Sequence, residues 1–288
     1  MTYPVPDTCE SPVSTEAFFS SQRDVLIVEW RIRVLSIRGV VAPTVFELCA
    51  KDAVDWLRDQ AAESVDLVIT DPAYESLEKH RAVGTTTRLK HSKSSSNDWF
   101  KVFPNARFGE LFEEVFRVLK RNTHFYLLCD AETMFVAKPE AERVGFRFWK
   151  PLVWDKRTIG MGYHYRARYE FILFFEKGKR RLNDLGIADV ISAPRIHGGY
   201  PAEKPPALSE VLIGQSSQPG GVVADPFMGS GSVGVAAARL GRTFRGNDLN
   251  PEAVRIAAHR LRGFGAGRTP ELPTARQPDL LETTAARR

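Results

Sequence analysis

Seven apolar runs of strand length punctuate the chain: TVFEL from 44, VDLVIT from 65, HFYLLC from 124, PLVW from 151, YEFILFF from 169, GVVADPF from 221 and TFRGNDL from 243. Most of them do not alternate apolar with polar residues, so they have to be covered on both faces. Between several runs the apolar residues step by three or four, as in Phe108, Leu111, Phe112, Val115 and Leu119, or Val254, Ala257, Ala258 and Leu261, which predicts helices. Strands alternating with helices predict an α/β fold, a doubly wound and mostly parallel seven-stranded sheet. The runs at 151 and 169 have too little chain between them for a helical crossover and are expected to form an antiparallel hairpin at one edge.

One such core accounts for residues 21–263, with 1–20 and 264–288 expected as tails because they lack periodicity. A hydrophobic fraction of 43% and a charged fraction of 26% are those of a globular protein, and no run nears the roughly eighteen apolar residues of a membrane span. Prolines and acids stand where a secretory signal would have a basic start, so a cytoplasmic location is expected. Cys9, Cys49 and Cys129 are widely spaced and form no C-x-x-C pair, which predicts neither a disulfide framework nor a metal site. The net charge of +5 is unevenly distributed: seven Lys or Arg face three acids between Glu75 and Arg107, and eight face two between Lys156 and Arg181. Basic clusters of this kind suit a phosphate backbone.

VVADPFMGSGSVGVAAARLG reads as a strand, then Gly229, Gly231 and Gly234 in G-x-G-x-x-G spacing, then a helix of small residues. Glycines let the backbone turn tightly and approach a ligand, and the helix N-terminus offers unpaired N–H groups. Asp248 ends the next strand, where an acid can accept hydrogen bonds from both hydroxyls of a ribose. NAD, FAD and S-adenosylmethionine can all be held this way. Asp225 and Phe227 just ahead of the glycines favour S-adenosylmethionine, because a carboxylate there suits a cationic group better than a pyrophosphate.

VDLVITDPAY stops an apolar run at Asp71, Pro72, Ala73 and Tyr74. In an open α/β sheet ligands bind beyond the carboxyl ends of the strands, so Asp71 and Gly229 are expected to share one cleft. DPAY followed downstream by DPFMGSGSVG resembles the amino-group DNA methyltransferases, in the β arrangement where the catalytic motif precedes the cofactor loop. The resemblance runs from about Phe46 to Arg262. CAKDAVDWLRDQAAESVDLVITDPAY is similar to the family's entry segment, EEVFRVLKRNTHFYLLCD to the helix and strand that follow, and YRARYEFILFFEKG to the later hairpin strand. It implies that Asp52 faces the cofactor adenine and that YPAEKP, through Lys204 and Pro205, packs around the methionyl end of S-adenosylmethionine.

An exocyclic amine is a weak nucleophile with two N–H donors. The Asp71 carboxylate and the Pro72 carbonyl can accept both, and Tyr74 offers a face to a base flipped out of DNA. Asp71 orients first and accepts a proton second. Lys79, Arg81, Arg88 and Lys90 in an expected mobile basic loop over about 75–107, with Arg166 and Arg168, are candidate contacts to the DNA backbone. An acid at the first position of the tetrapeptide is, by resemblance, commoner with adenine N6 than with cytosine N4. Ala73 stands where a second proline is more usual, and Asp248 where a longer Glu is common. No cysteine follows a proline, which sets aside the thiolate chemistry of cytosine C5 methylation. RNA methylation, an NAD-dependent dehydrogenase and an inactive DNA-binding module are the alternatives. The resemblance also implies a homodimer and a restriction endonuclease partner.

Overall fold

The structure is a computed structural model that describes residues 46–76, 101–160, 164–197, 200 and 202–264. All seven apolar runs contain strands: β1 Phe46–Cys49, β2 Val65–Thr70, β3 Leu119–Cys129, β4 Arg147–Asp155, β5 Tyr169–Lys177, β7 Val222–Asp225 and β8 Thr243–Asn247. An eighth, β6 Val190–Ser192, was not expected, because three residues are too few to carry a pattern. The sheet has eight strands rather than seven, in the order β1-β8-β7-β2-β3-β5-β4-β6. Every pairing is parallel except those β5 makes with β3 and β4. The hairpin is antiparallel as expected, but β6 pairs with β4 and takes the edge.

The helices are α1 Ala53–Asp59, α2 Phe108–Val118, α3 Ala131–Val144, α4 Pro206–Ser216, α5 Ser232–Arg239 and α6 Pro251–Arg262. In α2 the three-and-four spacing buries Phe108, Leu111, Phe112, Val115 and Val118. The helix ends at Val118, and Leu119 starts β3 instead of closing the helical stripe.

β2 shows why the runs do not alternate. Leu67 and Ile69 join a core with residues of α4, α5 and α6, whereas Val65 and Val68 join a second core with residues of α1, α2 and α3. The chain leaves β2 toward β3 on one side and leaves β7 toward β8 on the other, so the strand order reverses between β2 and β7. Such a switch point opens a crevice at the carboxyl ends of the strands. Among the described residues no helix is long and apolar enough to cross a membrane.

Candidate active site

Beyond the ends of β2 and β7 lies a cleft of about 1070 Å³, lined by Asp71, Pro72 and Tyr74 on one side and Asp225, Phe227 and Gly229 on the other. The two strands are in register through Leu67 with Val223 and Val68 with Ala224, so their Asp-Pro turns emerge side by side. Asp52, Lys204, Asp248 and Arg166 line the same cleft.

The glycine turn is built for close approach. Gly231 has φ +79°, and a Cβ there would stand 2.8 Å from the Ala257 Cβ of α6. A Cβ on Gly234 would fall 2.6 Å from the Phe244 ring, so α5 lies against β8 nearer than any larger residue permits. The Gly229 N–H donates to Asp248 Oδ2 at 3.0 Å, and the Asn250 N–H to Asp248 Oδ1 at 2.8 Å. These bonds orient the Asp248 carboxylate, while burial pushes its pKa up. Ser232, the first residue of α5, is buried in the cleft wall, and its hydroxyl has no hydrogen-bond partner among the described residues. An unpaired hydroxyl beside free helix N–H groups fits the carboxylate of an amino-acid moiety.

Asp225 is buried and accepts from Thr70 Oγ1 at 2.8 Å and from the Phe227 N–H at 3.0 Å. Burial outweighs both bonds and pushes its pKa up to about 8. A carboxyl desolvated without a cation beside it favours an arriving cationic group. Asp52 caps α1 through the Val54 N–H at 3.0 Å and is gripped by Arg107 at 2.8 and 2.9 Å. That hydrogen-bonded pairing, against a smaller opposing effect of burial, holds its carboxyl below the usual range. Arg107 itself lies over the Phe103 ring.

At the Asp71 turn, Tyr74 forms a parallel bridge with Phe103, whose N–H donates to the Ala73 carbonyl at 2.7 Å. Phe103 packs edge-on against Phe227 with centroids 5.1 Å apart, so one ring joins the two turns. Tyr74 is buried, which drives its phenol well above the ordinary value, and its hydroxyl stands 3.5 Å from Asp71 Oδ1.

The Lys204 ammonium is paired with Asp71 and lies 3.3 Å from Glu170 Oε2, while Lys156 lies 2.6 Å from Glu170 Oε1. Burial raises the Asp71 carboxyl and Lys204 opposes it, leaving the net direction upward. Burial works against the Lys204 ammonium, but Asp71 and Glu170 together hold its pKa above the ordinary value.

The sequence reading did not single out Glu170, Lys156, Arg107, Phe103, Thr70 or Ser232. Glu170 left a trace, since an acid inside YEFILFF needs a partner if it is buried. Arg168 forms two bonds to Asp155, at 2.7 and 2.8 Å, and Arg166 donates to the Gly160 carbonyl at 2.7 Å. Tyr165, beside them in the cleft lining, is fully exposed. Trp154 is buried, with its indole N–H on the Ala193 carbonyl at 2.8 Å. Lys79, Arg81, Arg88 and Lys90 lie outside the described residues, as do Cys9, both expected tails apart from Phe264, and most of the expected 75–107 loop.

A family model described as DNA methylase matches residues 65–189 and 183–259. The type II methyltransferase M.HpaI of Haemophilus parainfluenzae is 26% identical over 242 residues, covering 74% of this chain and 73% of that protein. The DNA adenine methyltransferase YhdJ of Escherichia coli K12 is 27% identical over 249 residues, covering 73% of this chain and 80% of that one. Among solved structures, a complex of M1.HpyAVI with S-adenosylmethionine superposes with a TM-score of 0.55 at 21% identity, over 75% of this chain and 100% of that chain. The PvuII DNA methyltransferase, cytosine-N4-specific, superposes with a TM-score of 0.61 at 17% identity, over 76% and 86%. At these identities the two structures establish the fold alone.

Proposed function

This chain belongs to the family of DNA methylases acting on amino groups, and we propose that it methylates adenine N6 of DNA with S-adenosylmethionine, on a base turned out of the duplex. The observation that carries the proposal is the shared cleft: Asp71 and Gly229 lie in the turns that follow neighbouring strands and line one cavity at the switch point of the sheet. S-adenosylmethionine, when bound, supplies a methyl group on a cationic sulfur. The residues of the glycine side fit such a molecule. Asp248 is presented for ribose hydroxyls, the Ser232 hydroxyl and the α5 N-terminus suit a carboxylate, and Asp225 suits an ammonium or a sulfonium. Asp52 and Phe227 line the same cleft, and Gly231, close against Ala257, makes the tight turn that leads into α5.

On the other side Asp71 accepts one N–H of the base amine. The Ala73 carbonyl is engaged by Phe103, so the Pro72 carbonyl is the acceptor offered to the second N–H. Holding both hydrogens draws the nitrogen toward tetrahedral geometry and frees its lone pair. Tyr74 supports the base, and stacking worth about 1–3 kcal/mol offsets much of the cost of flipping. Lys79, Arg81, Arg88, Lys90, Arg166 and Arg168 are the proposed phosphate contacts.

Adenine is chosen over cytosine because the tetrapeptide starts with an acid and because relatives such as YhdJ are named adenine methyltransferases. A homodimer, a restriction endonuclease partner and a cytoplasmic location complete the proposed reading, the first two resting on the sequence resemblance alone. The test is to incubate the protein with unmethylated DNA and S-adenosylmethionine, digest to nucleosides and identify the product by mass spectrometry. N6-methyldeoxyadenosine is expected. N4-methyldeoxycytidine would reassign the base, and no modified nucleoside on DNA would remove the reading.

A further inference from the structure

At the base end of the cleft four charged side chains alternate in sign. They run Asp71, Lys204, Glu170, Lys156, and they come from four separate pieces of chain. Asp71 follows β2 and Lys156 follows β4, while Lys204 precedes α4 and Glu170 is the second residue of β5. Because β5 runs against its neighbours, its beginning lies where β2 and β4 end. Reversing one strand thereby brings a fourth charge to the site.

We propose that Lys204 and Glu170 are positioning residues for Asp71. The Lys204 ammonium aims the Asp71 carboxylate at the incoming amine, and Glu170 keeps Lys204 paired when Asp71 takes up the amine's proton. This deepens the function proposed above and rests on it.

The physical case concerns what happens to the lysine when Asp71 becomes neutral. In that step the N–H bond breaks, its electron pair stays on nitrogen, and an O–H bond forms on Asp71. A buried ammonium with a single carboxylate partner would then be left unpaired, which is strongly unfavourable. Glu170 removes that penalty, since it lies 3.3 Å from the same ammonium and is itself paired with Lys156 at 2.6 Å. The side chains of Lys204 and Lys156 are 15% and 13% exposed, so solvent replaces little of this pairing. Both ammonium groups also lie over the Trp154 ring, at 5.9 and 5.3 Å, which narrows where they can move. The other titratable groups near Asp71 are Tyr74 on its own turn, Cys129 and Asp130 where β3 meets α3, and Asp225 at the end of β7.

The two residues act on Asp71 with opposite sign. Lys204 favours the ionised carboxylate and Glu170 opposes it. The experiment is a carboxyl-carbon NMR titration of Asp71 in the full chain without DNA. It is joined to the pH profile of single-turnover methyl transfer to unmethylated plasmid DNA and to calorimetric titration with S-adenosylmethionine. In Glu170→Gln the Asp71 midpoint and the acid limb of the profile should both move down by about one pH unit or more. In Lys204→Met both should move up by a similar amount, the rate near pH 7 should fall about 100-fold, and cofactor affinity should stay within a few-fold. Lys204→Arg should restore most of the rate.

An unchanged Asp71 midpoint in Glu170→Gln overturns the proposal. So does a Lys204→Met protein whose loss lies in cofactor affinity, which would assign the lysine to the methionyl end. Should Lys204→Met fail to fold, Glu170→Gln decides alone: the acid limb of methyl transfer must move down together with the Asp71 midpoint, and a midpoint that moves while the limb stays in place overturns the proposal. If the wild type modifies no DNA, the function reading fails while the NMR titration still decides the pairing.

Discussion

Two Asp-Pro turns stand side by side at the ends of β2 and β7, Asp71-Pro72 and Asp225-Pro226, each followed within two residues by an aromatic ring. Locally they are nearly the same device, yet their surroundings make them opposites. Asp71 is paired with an ammonium and partly open to the cleft, with 25% of its side chain exposed. Among the described residues Asp225 has no cation on it and is held by a hydroxyl and a backbone N–H, so burial dominates and its pKa climbs to about 8. On the proposed function, the first receives hydrogens from a neutral amine and the second a positive charge. A turn motif therefore specifies where a carboxylate goes, and the residues that reach it from elsewhere specify what it does.

Exchanging each acid for its amide breaks the comparison most directly. Asp71→Asn should lower single-turnover methyl transfer about 1000-fold or more while S-adenosylmethionine binding survives within a few-fold. An amide that kept the rate would remove the acceptor role. Asp225→Asn should do the reverse, weakening cofactor binding about 10-fold by calorimetry and leaving the rate at saturation within the same range. Wild-type affinity should rise as pH passes through about 8, where Asp225 ionises, and this rise should vanish in the amide variant.

The same carboxyl makes a stability prediction of known sign. Folding raises Asp225 from 3.8 to about 8, so between those values the native state holds a proton the unfolded state has lost. The contribution of Asp225 to the stability of the ligand-free protein must then fall as pH rises across that window, and Asp225→Asn should remove that share of the slope in urea titrations at pH 5 and pH 8.

A smaller effect is expected at the glycine turn. Gly231→Ala forces a side chain into left-handed backbone and against Ala257, costing about 1–2 kcal/mol from conformation alone. Its melting temperature should drop by several degrees, with cofactor affinity reduced. The smallest change belongs to the hairpin loop. Arg168 is already engaged by Asp155, so Arg168→Ala should reduce the salt dependence of DNA binding by less than one full charge, as read from the slope of log affinity against log salt. A full unit would mean that the arginine leaves Asp155 for a phosphate.

Much of the fold was legible because doubly buried strands and one-sided helices leave periodic signatures. VDLVIT and the stripe of Phe108, Leu111, Phe112 and Val115 belong to that class. β6 was not legible, since VIS carries no period and is a strand only because β4 offers it an open edge. Within the site, the residues on the two turns could be read because turn and glycine chemistry are local. Glu170, Lys156 and Arg107 could not, because each acquires its role from a partner 14 to 55 positions away in sequence, Lys156 and Glu170 on each other and Arg107 on Asp52.

The order of residues alone determined that this chain alternates strands and helices, ends two strands in Asp-Pro turns, and places a glycine turn after one of them. Those are consequences of backbone conformation and side-chain period, which act over a few residues. Tertiary structure decided that the two turns face one cleft, that Lys204 rests on Asp71, and that a reversed strand delivers Glu170 beside them. Charge pairing acts through space, and in a desolvated cleft the distance between groups from remote segments sets how strongly each carboxylate is held against the effect of burial.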